Sequence, residues 1–189
     1  SFQELISIND AATGKVFFSG FANVINAMRK CPKFIIGRIQ GKTVGGGVGI
    51  AAATDYCMAT KFAAIKLSEL KVGIGPFVVS PAIERKMGVS ALSQIAIDAN
   101  SFYDAEWARS KGLFMQVYET NEELDEQVTE FANHLCTYNP EAMAEMKKAF
   151  YNLVLLSAGQ TQIYLMMYIA FTVGFTYLEY SQEFIVKTL

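Results

Sequence analysis

Apolar residues recur at helical spacing in some stretches of the chain and form short continuous runs in others. Residues 21–30 show helical spacing, because apolar side chains occur at i, i+4 and i+7 (Phe21, Ile25 and Met28). Pro32 cannot continue a helix, so we expect this one to end before it. The run at residues 33–40 predicts a short apolar strand. Further strands are predicted at residues 56–60, 64–68 and 113–118.

Helices are predicted between these strands, at residues 48–55, 77–88, 90–99 and 104–112. The first has the small side chains of a buried helix, and Gly88 ends the second. Thr120 and Glu123 form a capping box for a last helix with a continuous apolar face (Leu124, Val128, Phe131 and Leu135). The alternation of strands and helices predicts an α/β fold.

The composition indicates one globular domain with a sizeable apolar core. The chain has 189 residues, of which 52% are hydrophobic and 18% are charged, which excludes an intrinsically disordered chain. The net charge of −2 and the lack of a basic run argue against nucleic acid as a partner. The three cysteines and the single histidine are too scattered for a metal site or a disulfide framework (Cys31, Cys57, Cys136 and His134). We therefore expect no metal.

The glycine-rich stretch at residues 37–57, GRIQGKTVGGGVGIAAATDYC, contains parts of two binding motifs. Gly41, Lys42 and Thr43 resemble the end of a phosphate-binding loop, which needs a further glycine five positions before Gly41. Ile36 occupies that position, and three glycines, which disfavour a helix, follow where the motif requires one. We therefore reject the phosphate-loop interpretation.

The glycine triplet Gly45, Gly46 and Gly47 has two interpretations. Without side chains, the backbone between a strand and a helix is open to close approach by a ligand. Its free N–H groups and the positive end of the helix dipole suit an anion, or a carbonyl oxygen that becomes negative during a reaction. Alternatively, the glycines only allow tight packing of the strand against the helix.

Glu69 is the second candidate for chemistry. It follows an apolar strand and precedes a turn that contains Gly73 and Pro76. A carboxyl group in apolar surroundings is expected to have a raised pKa, which suits proton transfer near neutral pH. The alternative is an ordinary surface glutamate at the end of a strand.

Taken together, these two segments resemble the crotonase superfamily of enoyl-CoA hydratases and isomerases. The resemblance covers residues 1–148 and includes three motifs. The first is the glycine triplet with its buried helix and Asp55, and the second is the Glu-x-x-x-Gly-x-x-Pro spacing from Glu69 to Pro76. The third is the Ala-x-x-Ala-x-x-x-Gly-Leu stretch at residues 105–113. The sequence around Glu69 looks most like that of the 3-methylglutaconyl-CoA hydratase branch.

The resemblance implies a fold and a site. The fold is a crotonase-like (ClpP/crotonase) β-β-α spiral in residues 1–120, followed by a helical cover and oligomerisation region in residues 121–189. The N–H of Gly46 is expected to bind the thioester oxygen of an acyl-CoA, and Glu69 to act as acid and base. Gly45, Gly47, Gly49 and Pro76 are the expected substrate contacts. Coenzyme A enters as part of the substrate, so no separate cofactor is expected.

Two departures from the family pattern leave three functions open. Gly49 occupies the position of a second catalytic glutamate in the two-glutamate hydratases. The first residues look like the segment just after the family's Ala-Gly-Ala loop, which supplies the other N–H to the thioester oxygen, so the N-terminal part is expected to be missing. Hydration of an enoyl-CoA is the favoured reaction. Double-bond isomerisation through Glu69 alone is favoured by Gly49, and non-catalytic acyl-CoA or subunit binding by the missing segment.

The family assembles as homotrimers or dimers of trimers, and we expect the same here. Residues 149–178 contain no charged residue, which makes a membrane span conceivable. Polar residues shorten the apolar part and no basic flank precedes it, so we favour a subunit-interface helix over a membrane span. The first ten residues lack the features of a signal peptide, and a cytoplasmic location is expected.

Overall fold

The computed structural model describes residues 4, 8 and 10–155, without the side chains of residues 11 and 152–155. Helices α1 to α6 span Ala11–Lys30, Gly46–Ala53, Ser80–Ile97, Ala105–Ser110, Asn121–Cys136 and Pro140–Leu155. Strands β1 to β6 span Ile36–Ile39, Lys42–Val44, Tyr56–Thr60, Ala64–Lys66, Tyr103–Asp104 and Gln116–Tyr118. A 3-10 helix, Glu69–Val72, follows β4.

The strands form two small sheets, and the chain passes from one sheet to the other in each turn. Strands β1, β3 and β6 lie side by side and parallel. In the second sheet β4 pairs in parallel with β2 and antiparallel with β5. The segments β1–β2–α2 and β3–β4–α3 are therefore successive β-β-α turns. The predicted α/β class and the spiral order of elements are confirmed.

Helix α1 begins at Ala11, ten residues before the predicted start, and ends at Lys30 as predicted. The Asp10 carboxylate caps the new start, because its Oδ1 accepts the N–H groups of Ala12 at 2.8 Å and Thr13 at 2.9 Å. Glycines at positions 14 and 20 interrupt the helical signal in the sequence. The cap and the packing of the helix on the core outweigh their low helix propensity.

The expectation that the glycine triplet disfavours helix is wrong for its last two members, because α2 begins at Gly46. Tertiary packing accounts for the difference. Val48 and Ala52 of this helix are completely buried in the core. The missing side chains let the helix lie close to its neighbours, since a Cβ on Gly47 would be 3.0 Å from the Thr43 methyl group.

The predicted boundaries at Gly88 and Thr120 are confirmed. Helix α3 is interrupted at Gly88, which has φ 75° and ψ 163°, so the two predicted helices meet there. The Thr120 hydroxyl accepts the N–H of Glu123 at 3.1 Å and starts α5. The Glu123 carboxylate accepts the N–H of Glu119 at 2.9 Å, one residue before the position that the capping box predicts. Leu124 of this helix is completely buried.

A buried ion pair fastens α6 to the core. The Lys147 ammonium donates to Asp55 Oδ2 at 2.7 Å, to the Lys33 carbonyl at 2.8 Å and to the Met28 carbonyl at 3.0 Å. The same Asp55 oxygen accepts the N–H of Ile35 at 2.8 Å. The Lys147 side chain is 2% exposed and the Asp55 side chain 9% exposed. The family-motif aspartate is therefore a structural anchor for α6.

Within residues 10–155, none of the helices combines the length and hydropathy that a membrane span needs. The charge-free stretch extends to residue 178, and its part from residue 156 onwards lies outside the described residues. The interface helix expected there, the division at residue 120 and the trimer stay predictions.

Candidate active site

A pocket of about 430 Å³ lies between α1, the start of α2 and the segment that joins the 3-10 helix to α3. Four of the predicted site residues line it, namely Gly45, Gly46, Glu69 and Pro76. Two segments of the chain meet at this pocket, because the paired strands β2 and β4 end side by side, with Val44 opposite Lys66. The glycine turn follows one strand and Glu69 follows the other, which explains how segments distant in sequence meet.

Glu69 is the polar group with the most unusual surroundings. It is the first residue of the 3-10 helix, and it lines the pocket. Among the buried side-chain oxygen and nitrogen atoms of the described residues, only Glu69 Oε2 lacks a hydrogen-bond partner. A buried carboxylate oxygen without a partner is costly, so the fold maintains it against a stability penalty.

Burial raises the pKa of Glu69 above that of an exposed glutamate. Desolvation is the main cause, since it disfavours the charged carboxylate. Nearby backbone N–H groups of Glu69 and Ser68 act in the opposite direction. A carboxyl group with a raised pKa can both accept and donate a proton near neutral pH.

Gly45 holds the glycine turn against the carboxylate. Its φ of 55° and ψ of −120° lie in a region that residues with side chains rarely adopt. A Cβ at this position would be 3.1 Å from Glu69 Oε1, so the glycine leaves room for the carboxylate. The Gly45 N–H donates to the Lys66 carbonyl at 2.9 Å and is therefore occupied.

Gly46 is the first residue of α2, and it lines the pocket. First-turn N–H groups have no acceptor within their own helix, and no other backbone group in residues 10–155 accepts the Gly46 N–H. The helix dipole adds partial positive charge at the same end. A Cβ on Gly46 would overlap the ring of Phe21, so only glycine allows this ring to pack over the turn.

The structure does not bring Gly47 and Gly49 to the pocket wall. Gly47 packs on Thr43, and Gly49 is buried against Val79. A Cβ on Gly49 would overlap both the Cβ and Cγ1 atoms of Val79. A glutamate at position 49 therefore requires a different residue, or a different path of the chain, at position 79.

Ser68 and Ser80 lie near Glu69 in sequence and carry hydroxyl groups that could assist it. Ser68 lines the pocket. Ser80 is committed elsewhere, because its hydroxyl donates to the Pro76 carbonyl at 2.7 Å. Among the described residues, no three His, Cys, Asp or Glu side chains lie close enough together to hold a metal ion.

The apolar wall contributed by α1 was missed from the sequence. Phe17, Phe18 and Phe21 all line the pocket. Phe21 was recognised as part of an apolar helix face, whereas Phe17 and Phe18 lie before the predicted start of that helix. The i, i+4 spacing of Phe17 and Phe21 is the signal that could have placed both on one face.

The far end of α2 is surrounded by cationic groups. Arg85 donates to the Ala52 carbonyl at 3.1 Å, and Lys86 donates to the Asp55 carbonyl at 2.8 Å. Burial lowers the pKa of Lys86 to about 8, with the adjacent Arg85 charge acting in the same direction. Cations at a helix C-terminus stabilise its dipole, so they support the helix whose other end faces Glu69.

A family model described as enoyl-CoA hydratase/isomerase matches residues 2–172 of the chain. Enoyl-CoA hydratase ACTT6 of Alternaria alternata is 32% identical over 125 residues, which are 66% of this chain and 42% of that protein. The peroxisomal Delta(3,5)-Delta(2,4)-dienoyl-CoA isomerase of Arabidopsis thaliana is 32% identical over 127 residues, 65% of this chain and 44% of that protein. The mitochondrial methylglutaconyl-CoA hydratase of Mus musculus is 30% identical over 137 residues, which are 70% of this chain and 43% of that protein. The chain thus spans less than half the length of these curated relatives.

Solved structures show the same fold. An enoyl-CoA hydratase from Shewanella pealeana superposes with a TM-score of 0.72 at 28% identity, over 77% of this chain and 53% of that one. A Legionella pneumophila chain named as an enoyl-CoA hydratase/isomerase (crotonase) superposes with a TM-score of 0.74 at 27% identity, over 84% and 64%. The extent of the family match and the shared spiral agree with the resemblance in the motifs. The chain belongs to the enoyl-CoA hydratase/isomerase family and has the crotonase fold.

Proposed function

We propose that this chain catalyses proton transfer next to the thioester carbonyl of an enoyl-CoA, and that the reaction is hydration of the double bond. The observation that carries the proposal is the buried, unpartnered Oε2 atom of Glu69, which lines one pocket together with Gly46, whose N–H has no backbone acceptor in residues 10–155. An acid/base group and a donor for a developing negative charge are the two elements that this chemistry needs.

Gly46 is assigned to the thioester oxygen. A hydrogen bond from its N–H, reinforced by the dipole of α2, draws electron density towards that oxygen. The β-carbon then becomes open to attack by water, and the electrons of the double bond move into an enolate. Losing one such donor typically costs about 3–4 kcal/mol of transition-state stabilisation.

Glu69 is assigned both proton transfers. Its carboxylate takes a proton from the attacking water as the C–O bond forms at the β-carbon. The resulting carboxylic acid gives a proton to the α-carbon, which consumes the enolate and restores the carboxylate. The product is a 3-hydroxyacyl-CoA, and no redox partner is required. The raised pKa of Glu69 favours both halves of this cycle.

Double-bond isomerisation is a second candidate, favoured by the contact between Gly49 and Val79. Residue 49 is a glycine and supplies no second carboxylate to orient water. Val79 occupies the space that a side chain at this position would need. One carboxylate suffices to remove a proton from one carbon and return it to another two bonds away. The relatives include proteins named as hydratases and one named as an isomerase.

Substitution of Glu69 by glutamine tests the shared mechanism. The amide keeps the size of the side chain and cannot act as a base. We expect turnover of trans-2-pentenoyl-CoA by the purified chain to fall by about 10²–10⁴-fold in Glu69→Gln. Glu122→Gln is the control, because Glu122 is exposed on α5 and does not line the pocket. Equal turnover by both variants would refute the assignment.

Isotope-labelled water separates the two reactions. Hydration in ¹⁸O water places the label in the 3-hydroxyacyl-CoA product, which mass spectrometry detects. Isomerisation yields a shifted double bond without ¹⁸O. Acyl-CoA binding without either product would favour the non-catalytic function and contradict both enzyme mechanisms.

A further inference from the structure

The pocket beside Glu69 has walls of one chemical kind. Three phenylalanines of α1 line it together with Val72, Ile74 and Val79. Ser68 and Glu69 supply the only polar side chains among the described residues that line it. No lysine, arginine or histidine of the described part of the chain is among them.

The two ends of the given sequence are also poor in basic residues. Residues 1–9 contain no basic residue, and residues 156–189 contain a single one, Lys187. A carboxylate at the end of a bound acyl group would therefore move from water into apolar surroundings close to the Glu69 carboxylate. Both desolvation and like-charge repulsion oppose such a group.

We propose that the pocket selects acyl-CoA thioesters whose acyl group is uncharged and apolar, and rejects those whose acyl group ends in a carboxylate. The inference rests on the proposed function, because it assigns this pocket to the acyl group. Acyl groups of the glutaconyl type end in a carboxylate and are therefore among those that the pocket rejects. The name of the methylglutaconyl-CoA hydratase relatives indicates such a substrate for those proteins. Phe17, Phe21 and Val79 are the residues assigned to this selection.

Binding of two saturated thioesters of equal length tests the selection without requiring turnover. Pentanoyl-CoA and glutaryl-CoA both have five acyl carbons and differ in one terminal carboxylate. We expect calorimetry on the 189-residue chain to show that pentanoyl-CoA binds about 100-fold more tightly. Equal affinity, tighter binding of glutaryl-CoA or no binding of either compound would overturn the inference. Turnover of trans-2-pentenoyl-CoA tests the proposed function separately, because the preference can hold when turnover is absent.

A positive charge introduced at an exposed edge of the pocket tests the selection in a second way. Val72 lines the pocket and is 48% exposed, so an arginine there is compatible with folding. We expect Val72→Arg to narrow the preference for pentanoyl-CoA over glutaryl-CoA by about tenfold. Val89→Arg is the matched control, because Val89 is 63% exposed on α3 and does not line the pocket. The same narrowing in both variants would show that net charge, and not this pocket, sets the preference.

Discussion

Replacing Lys147 by methionine should destabilise the fold more than any change of a surface lysine. The ammonium group makes three hydrogen bonds within 3.0 Å, and its side chain is 2% exposed. Methionine preserves most of the length of the side chain but removes the cation from beside the Asp55 carboxylate, which keeps the Ile35 N–H as a donor. The Met28 and Lys33 carbonyls also lose their bond to the ammonium.

The expected loss of unfolding free energy is about 3–5 kcal/mol, the range for removing one partner of a buried ion pair. This is a large part of the roughly 5–15 kcal/mol that stabilises an ordinary domain. Urea unfolding followed by circular dichroism measures it, with an unchanged dependence on urea showing that the native fold persists. Asp55→Asn should reduce the effect of Lys147→Met, because the uncompensated charge is then removed.

Lys148 provides the control for this measurement. It is the next residue, its side chain is 65% exposed, and it pairs with Glu145 at 2.6 Å. An exposed pair contributes at most about 1 kcal/mol, so Lys148→Met should change stability little. If Lys147→Met costs no more than Lys148→Met, the assignment of Lys147 and Asp55 as the anchor of α6 is wrong.

Four further predictions concern the glycines of the α2 region and the Glu69 carboxyl group. Gly45→Ala should lower the free energy of unfolding by about 1–3 kcal/mol, because alanine rarely adopts this backbone conformation. It should also lower turnover by displacing the Glu69 carboxylate, and unchanged turnover would contradict the close approach of residue 45 to Glu69. Gly49→Ala should cost about 1–3 kcal/mol in urea unfolding, and Val79→Ala in the same chain should recover part of it, whereas purely additive losses would refute their contact. The acid limb of the kcat/KM profile should lie above the pKa of an ordinary glutamate, because Glu69 must be deprotonated to accept the first proton; a limb at the ordinary value would contradict this. Since the folded state binds more protons at Glu69, its contribution to stability should decrease as pH rises from the ordinary glutamate pKa to the raised one, and this decrease should be absent from Glu69→Gln.

Local signals in the sequence predicted the α/β class and the longer elements, but not the short strands β2 and β5, and they selected the candidate site residues. The apolar runs predicted β1 and β3, and the capping residue Thr120 predicted the start of α5. Glu69 and Gly46 were chosen because their residue types and spacing match a motif, and the structure brings both to one pocket. Motifs and caps are short-range features, which is why one sequence reveals them.

Features that depend on contacts between distant segments were not predictable in this way. The packing of Val79 against Gly49 and of Phe21 against Gly46 depends on how α1 and α3 lie on α2. The early start of α1 and the helical glycines of α2 arise because tertiary packing outweighs local propensity. The buried Lys147 could not be distinguished by sequence from its exposed neighbour.

The most direct test of Glu69 as the proton-transfer group is hydrogen exchange at the α-carbon of a saturated thioester. Pentanoyl-CoA has no double bond to hydrate or shift, so exchange in D₂O requires only a base and a donor for the enolate oxygen. We predict that NMR will show the chain exchanging the α-protons for deuterium, and Glu69→Gln exchanging them about 10²–10⁴-fold more slowly. Exchange at the same rate in both proteins would show that another group moves the proton.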